Sequence, residues 1–157
     1  MHRPIRQRRG RKPPERGQTL AEFAIVLPVL MLIVLIGIDF GRAFFSWVTL
    51  TNAARIAANY AATNPNEAYP SAAYTTLVTN DAANALTTVC PISGTFNPTF
   101  IDGPDANATT RDLGDSVQVS ITCNFAVLTP IIGAIVGSPL PIGANAVFPM
   151  RTGAFQQ

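Results

Sequence analysis

The sequence predicts an α+β protein. A long, membrane-spanning N-terminal helix continues into a small head domain with a second helix and an antiparallel sheet. Three observations carry that reading. Residues 23–38 run sixteen positions without a charge and are dominated by Leu, Ile and Val. A helical pattern free of turn clusters continues from there to Ala62. Residues 116–125 then alternate apolar and polar side chains, the period-2 signature of a half-buried strand. The 157 residues allow one small domain outside the anchor and little more. At 13% charged, the chain has about half the usual share for a globular protein. That excludes an acidic disordered tail, a charged coiled coil and a nucleic-acid module with a basic face, so no nucleic-acid partner is expected.

The charge is unevenly placed. Residues 1–17 hold seven of the 11 basic side chains (Arg3, Arg6, Arg8, Arg9, Arg11, Lys12 and Arg16) against a single acid, Glu15. This block predicts a basic leader over residues 1–17. At 1.5 Å per residue the uncharged run makes roughly 24 Å of helix, a little short of a hydrocarbon core of about 30 Å. Phe40, Phe44, Phe45, Trp47 and Val48 prolong it like an interfacial aromatic belt. The predicted long helix therefore covers residues 18–62 and spans a membrane over about 20–48. The basic leader orients it with residues 63–157, the head domain, outside the cytoplasm. A cleaved secretory signal would need a small-x-small site, for which only Ala53-Ala54 and Ala57-Ala58 offer themselves, deep in the helical pattern. An uncleaved signal anchor is the other plain reading. Neither accounts for a carboxylate at Glu22, on the edge of the apolar segment, where charges usually have a partner.

Gly17, four further residues, Glu22 with Phe23 and then an apolar helix resemble the processing motif of type IV pilins and pseudopilins. The continuation through Pro28, the Gly41-Arg42 step and residues 52–58 (Asn-Ala-Ala-Arg-Ile-Ala-Ala) is more specifically similar to the TadE-like family of tight-adherence, Flp-type pilus systems. Residues 144–151 look like that family's closing strand. The resemblance implies a type IV pilin-like fold and a chemistry done to this protein. A membrane prepilin peptidase would cut between Gly17 and Gln18, where glycine places no side chain in the way of an extended backbone. The new α-amino group of Gln18 would then meet Glu22 of a neighbouring subunit, a pair that fixes register more than it adds net stability. Phe23 stands where many Flp-type sequences carry Tyr. The partners implied are the membrane, the peptidase, other copies or other pilins, and inner-membrane assembly machinery. The place implied is the cell membrane, or a surface pilus after assembly. The alternative from another class is an uncleaved, signal-anchored adhesion or binding module that never polymerises.

Along the long helix, Pro28 removes one backbone donor and predicts a kink near residues 24–28. Gly37 and Gly41 have the small-xxx-small spacing that lets helices approach closely. Ala53, Ala54, Ala57, Ala58, Ala61 and Ala62 form a thin apolar stripe suited to packing on the head's own sheet. Asp39 and Arg42 read as an i,i+3 ion pair at the membrane boundary, and Arg55 as a local partner within the head.

In the head, Ser71 reads as the N-cap of a second helix running to about Val89, with Leu77, Val78 and Leu86 apolar. Residues 144–150 offer a partner for the strand at 116–125. Cys90 and Cys123, the sole cysteines, read as a disulfide in an oxidising compartment, with two buried thiols as the alternative. Between Asp115 and Arg151 lie 35 uncharged residues. Pro130, Pro139, Pro141, Gly133, Gly137 and Gly143 punctuate them too heavily for a second span. The stretch around residues 127–136 therefore reads as an apolar loop contacting other subunits or the membrane interface. Asp102, Asp105, Asp112 and Asp115 read as a solvated acidic loop rather than a calcium site, and Asn107 begins a glycosylation sequon. No nucleophile–base pair, phosphate loop or metal cluster is visible, and the lone His2 lies in the leader. Neither an enzyme activity nor a cofactor is expected.

Overall fold

The computed structural model describes residues 16–86, 89–104 and 111–151. The leader up to Glu15, Asp105, the Asn107 sequon and the side chain of Leu86 lie outside the described residues. Along the chain come α1 (Arg16–Thr63), α2 (Ala72–Leu86), β1 (Ile92–Ser93), β2 (Thr99–Ile101), β3 (Ser116–Phe125), α3 (Pro130–Val136) and β4 (Leu140–Pro149). The layout is the predicted α+β one: a long apolar N-terminal helix, a further helix and a four-stranded antiparallel sheet. Two compact units divide the chain between Leu35 and Ile36.

The first unit is the apolar part of α1. Among residues 17–35 only Leu32 is even partly covered. Side chains such as Leu20, Phe23, Ile25 and Val34 stand mostly exposed. The helix is long and apolar enough to cross a membrane, and Pro28 lies inside it without ending it. In water such a face is unfavourable at about 25 cal/mol per Å² of apolar surface, so it needs lipid or another protein around it.

The second unit joins the rest of α1 to the sheet. β3 is its centre. β4 pairs with β3 over ten residues from Ser116↔Pro149 to Phe125↔Leu140, while β1 and β2 share the opposite edge. The alternation read in the sequence is the burial pattern: Val117, Val119, Ile121, Cys123 and Phe125 are buried, their neighbours more open. Against this face lies the alanine stripe of α1, with Ala53, Ala54, Ala57, Ala58, Ala61 and Ala62 all fully buried. Small side chains let helix and sheet approach closely, and the larger Leu50, Tyr74 and Val78 fill the remaining core.

Tyr74 anchors α2. Its ring lies 5.1 Å from that of Tyr69 and 6.0 Å from that of Phe96, centroid to centroid, and its hydroxyl donates to the Phe96 carbonyl at 2.6 Å. Ser71 caps the helix as expected, its hydroxyl accepting the Tyr74 N–H at 3.1 Å. Cys90 and Cys123 are joined, with Cα atoms 5.2 Å apart, which ties the end of the α2 connection to the centre of the sheet.

The sheet's outer edge is guarded. Met150 donates its N–H to the Asp115 carbonyl at 2.9 Å. With that register, even-numbered residues of β4 present their N–H groups to β3 and odd-numbered ones point away. Pro141 and Pro149 occupy outward positions, where a missing donor costs no ladder bond. They confine the open edge to Gly143, Asn145 and Val147, a device that discourages unplanned strand pairing.

Two expectations change. The stretch at 127–136 is not an irregular loop: it holds α3, and β4 begins at Leu140 rather than Ala144. Of the Pro and Gly residues that read as interruptions, Pro130 and Gly137 are end signals, while Gly133 lies inside α3 and Pro141 and Gly143 inside β4. A proline lies in the first turn of α3, where its missing donor is harmless. Gly137 closes the helix with φ 88°, its N–H donating to the Gly133 carbonyl at 3.0 Å. The acidic loop is also less solvated than expected. Asp102 is exposed, but Asp112 and Asp115 are buried. Asp115 accepts the N–H groups of Gly103 (2.7 Å) and Asp112 (3.1 Å). Only glycine fits at Gly103, because a Cβ there would stand 2.5 Å from the Gly114 carbonyl oxygen.

Candidate functional site

The sequence-predicted residues fall into two groups, one on each unit. On the first, Gly17, Gln18, Glu22, Phe23 and Pro28 are all exposed on α1. The Gln18 side-chain amide donates to the Glu22 carboxylate at 3.3 Å, one helical turn away. Among the described residues Glu22 has no basic partner, and the neutral Gln18 amide is its hydrogen-bond donor. The Gly17–Gln18 bond lies in the first turn of the helix rather than in extended chain. The first N–H groups of a helix have no intrahelical partner, so fraying there is cheap.

On the second unit, the base of the head is organised around Asp39, which is only 6% exposed. Its two carboxylate oxygens accept the backbone N–H groups of Leu128 and Thr129, each at 2.9 Å. Arg42 donates to the same carboxylate at 3.3 Å, so the predicted i,i+3 pair is present but is the smaller part of what Asp39 does. The Arg42 guanidinium also lies 5.5 Å from the centre of the Phe125 ring. Thr129 is the N-cap residue of α3 and makes no side-chain cap bond of its own. Asp39 supplies the capping charge from α1 instead. Beside it an apolar cleft of about 340 Å³ opens between α1, α3 and β4, lined among others by Phe40, Val127, Ile132 and Ile142.

The remaining predicted residues separate cleanly. Ala54 and Ala58 are fully buried in the head's own core. Gly37 and Gly41 are exposed, and a Cβ on either would meet nothing within 4 Å, so their close-approach geometry is unused within the chain. Arg55 is exposed and forms no ion pair among the described residues. The capping role of Asp39 escapes sequence reading because its partners are backbone groups far along the chain. The isolated carboxylate after an apolar run is the only trace it leaves. Among the described residues no group of His, Cys, Asp and Glu is arranged to hold a metal ion.

These features define a class: a protein with one bare, membrane-capable N-terminal helix whose second half is built into a small disulfide-linked α+β head. The family model described as TadE-like protein matches residues 17–59, the stretch from the candidate cleavage glycine through Glu22, Pro28 and most of the alanine stripe. This is the segment on which the sequence resemblance rests, and over it the chain is similar to TadE-like proteins. That family is pilus-associated and structural rather than enzymatic. The match leaves the sheet, including β4, outside it. Comparison with curated proteins and with solved structures found no match.

Proposed function

We propose that the chain is a pilin-like subunit, minor pseudopilin or filament component, of a tight-adherence pilus system. Prepilin peptidase cuts it after Gly17, and it assembles through its N-terminal helix with other copies or other pilins on the inner-membrane machinery. The head then faces outward from the cell membrane. The observation that carries the reading is the bare apolar surface of α1 interrupted by the exposed carboxylate of Glu22, which among the described residues has a neighbouring amide and no basic partner. Cleavage frees an α-amino group on Gln18, one turn from Glu22. A carboxylate and an amine on adjacent subunits, each costly alone in an apolar bundle, satisfy one another and set the axial register. The head of about 95 residues is large beside the very short major subunits the family resemblance implies, which favours the minor role.

The test is the N-terminal sequence of the protein co-expressed with its cognate peptidase. A mature chain beginning at Gln18 supports the reading. An intact leader, or a start near Ala54 or Ala58, removes it and leaves a signal-anchored or secreted head.

A further inference from the structure

We propose that the base of the head, Leu128 with α3, sits in the extracytoplasmic interface of the bilayer that α1 crosses, so that the head is held at the lipid surface by a second contact. This rests on the membrane-anchored reading above and goes beyond it, since an anchor helix alone leaves the head free to stand clear of the membrane.

The first observation is composition. Leu128, Ile131, Ile135 and Val136 are 58%, 57%, 79% and 51% exposed, an unusual density of bare aliphatic side chains for a surface facing water. No charge occurs anywhere in residues 116–150, so nothing on the segment opposes contact with lipid.

The second observation is height. Asp39 is the residue directly after the uncharged run 23–38, and it holds Leu128 and Thr129 at 2.9 Å. Counting from Phe23, a hydrocarbon core of about 30 Å takes roughly twenty helical residues and ends near Arg42. Asp39 lies within one turn of that point along the chain, so the residue that holds the start of α3 belongs to the stretch that leaves the hydrocarbon. The exposed Phe40, Phe44 and Trp47 mark the same level on α1, as aromatic side chains do at membrane interfaces.

The third observation is that backbone N–H groups at both ends of α3 are paired, although the buried Thr129 hydroxyl has no hydrogen-bond partner among the described residues. A backbone entering an interface must have its N–H groups paired. Asp39 accepts those of Leu128 and Thr129, and the Gly133 and Gly137 N–H groups are bonded to the carbonyls of Thr129 and Gly133. The carboxylate is itself neutralised by Arg42. Lipid, rather than a second copy, is the occupant the observations favour. Asp39, which holds the start of α3, directly follows the uncharged run in the chain, and residues 128–136 carry no charge that would select a protein partner.

The experiment uses the full-length protein in vesicles of phosphatidylcholine and phosphatidylglycerol, with bromine on the acyl chains of a matched set. Trp47 is the only tryptophan, so Trp47→Phe gives a silent background. Into it go Ile135→Trp, Leu128→Trp, Val34→Trp as the in-membrane reference, and Thr99→Trp on β2. Thr99 pairs with Gln118, about 24 Å along β3 from its α3 end. The expected result is that brominated lipid removes about half the emission of Ile135→Trp and Leu128→Trp, as of Val34→Trp, and leaves Thr99→Trp unchanged, matching apolar side chains 5–10 Å deep in the headgroup boundary. Quenching of Val34→Trp alone overturns the proposal while leaving the anchor reading intact. Protection of Ile135→Trp that grows with protein-to-lipid ratio overturns it in favour of a contact between copies. Absence of quenching at Val34→Trp overturns membrane anchoring itself and the proposal with it.

Discussion

The carboxylate of Asp39 accepts the backbone N–H of Leu128 at 2.9 Å across 89 residues of chain. One side chain on α1 thereby closes the start of α3 and holds the base of the head together. Asp39→Ala leaves the buried Thr129 N–H and the part-buried Leu128 N–H without an acceptor and Arg42 without its partner. Hydrogen bonds to a charged group are worth about 1.5–3 kcal/mol each, and partial rescue by water puts the expected loss at about 2–4 kcal/mol. Asp39→Asn keeps one acceptor oxygen and is expected to lose less. Equilibrium unfolding in detergent, followed by near-ultraviolet circular dichroism of the head tyrosines, measures both. Equal stability in Asp39→Ala and the wild type contradicts the capping role.

The Cys90–Cys123 bridge closes 32 intervening residues. In the chain-entropy account that constraint is worth about 3–4 kcal/mol, a large share of the stability of a domain this size. The double variant Cys90→Ser, Cys123→Ser is expected to unfold at markedly lower denaturant, and reductant is expected to shift the wild type by the same amount. A mass unchanged by alkylation without reductant, and increased after it, checks the bridge directly.

The tyrosine cluster makes the head sensitive to alkali. Burial is the first cause that pushes the Tyr69 phenol up to about 12, and burial likewise raises Tyr74. Tyr60 is raised as well, first by its hydrogen bond with Glu67. Unfolded phenols titrate near 10, so between about pH 10 and 12 the folded state keeps protons that the unfolded state has lost. Stability from this source is complete below about pH 10 and falls as pH rises through that window. Phenolate absorbance followed against pH is expected to lag behind that of a denatured sample and to catch up as the head unfolds. Tyr74→Phe also leaves the Phe96 carbonyl without the 2.6 Å donor, so it is expected to be less stable even at neutral pH.

Much of this arrangement is legible in the sequence, for reasons that differ by element. The apolar run is a compositional signal, while the alanine stripe and the alternation of β3 are periodic side-chain signals that burial reproduces residue by residue. The cap at Ser71 is a local signal and is equally readable. What stays hidden is non-local or backbone-mediated. Asp39 shows a neighbour, Arg42, at helical spacing, while its main partners are amides that any residue type supplies. The helix α3 hides because proline and glycine break a long helix but also delimit a short one. Asp112 and Asp115 read as solvated because a sequence does not reveal which carboxylate a turn folds over.

Assembly through α1 predicts a phenotype that separates folding from filament formation. Glu22 is exposed and, among the described residues, bonded to the Gln18 amide alone, so Glu22→Ala is expected to leave membrane insertion and the disulfide-linked head unchanged. Pilus or complex formation is expected to fall sharply, with Glu22→Gln recovering little, because in the proposed assembly the charge and not the shape pairs with the Gln18 amine. Sheared surface fractions and co-purification of the assembly machinery provide the readout. Normal assembly in Glu22→Ala would favour an anchored module that does not polymerise.

The two sets of small residues on α1 give opposite predictions, and the comparison tests which face of the helix meets what. Ala58 is fully buried against the sheet. Ala58→Leu adds three carbon atoms to a filled core, and overpacking of that kind costs about 1–3 kcal/mol. Gly41 meets nothing: a Cβ there finds open space within 4 Å, and so does one at Gly37. Gly41→Leu is therefore expected to leave head stability unchanged or to raise it slightly through better helix propensity. If the Gly37–Gly41 face is where α1 of another subunit approaches, the same variant is expected to impair assembly although the protein folds and inserts normally. Unfolding midpoints and pilus yield, measured on both variants, separate the two faces. A Gly41→Leu protein that assembles at the wild-type level removes the close-approach role from this pair and places the subunit contact elsewhere on α1.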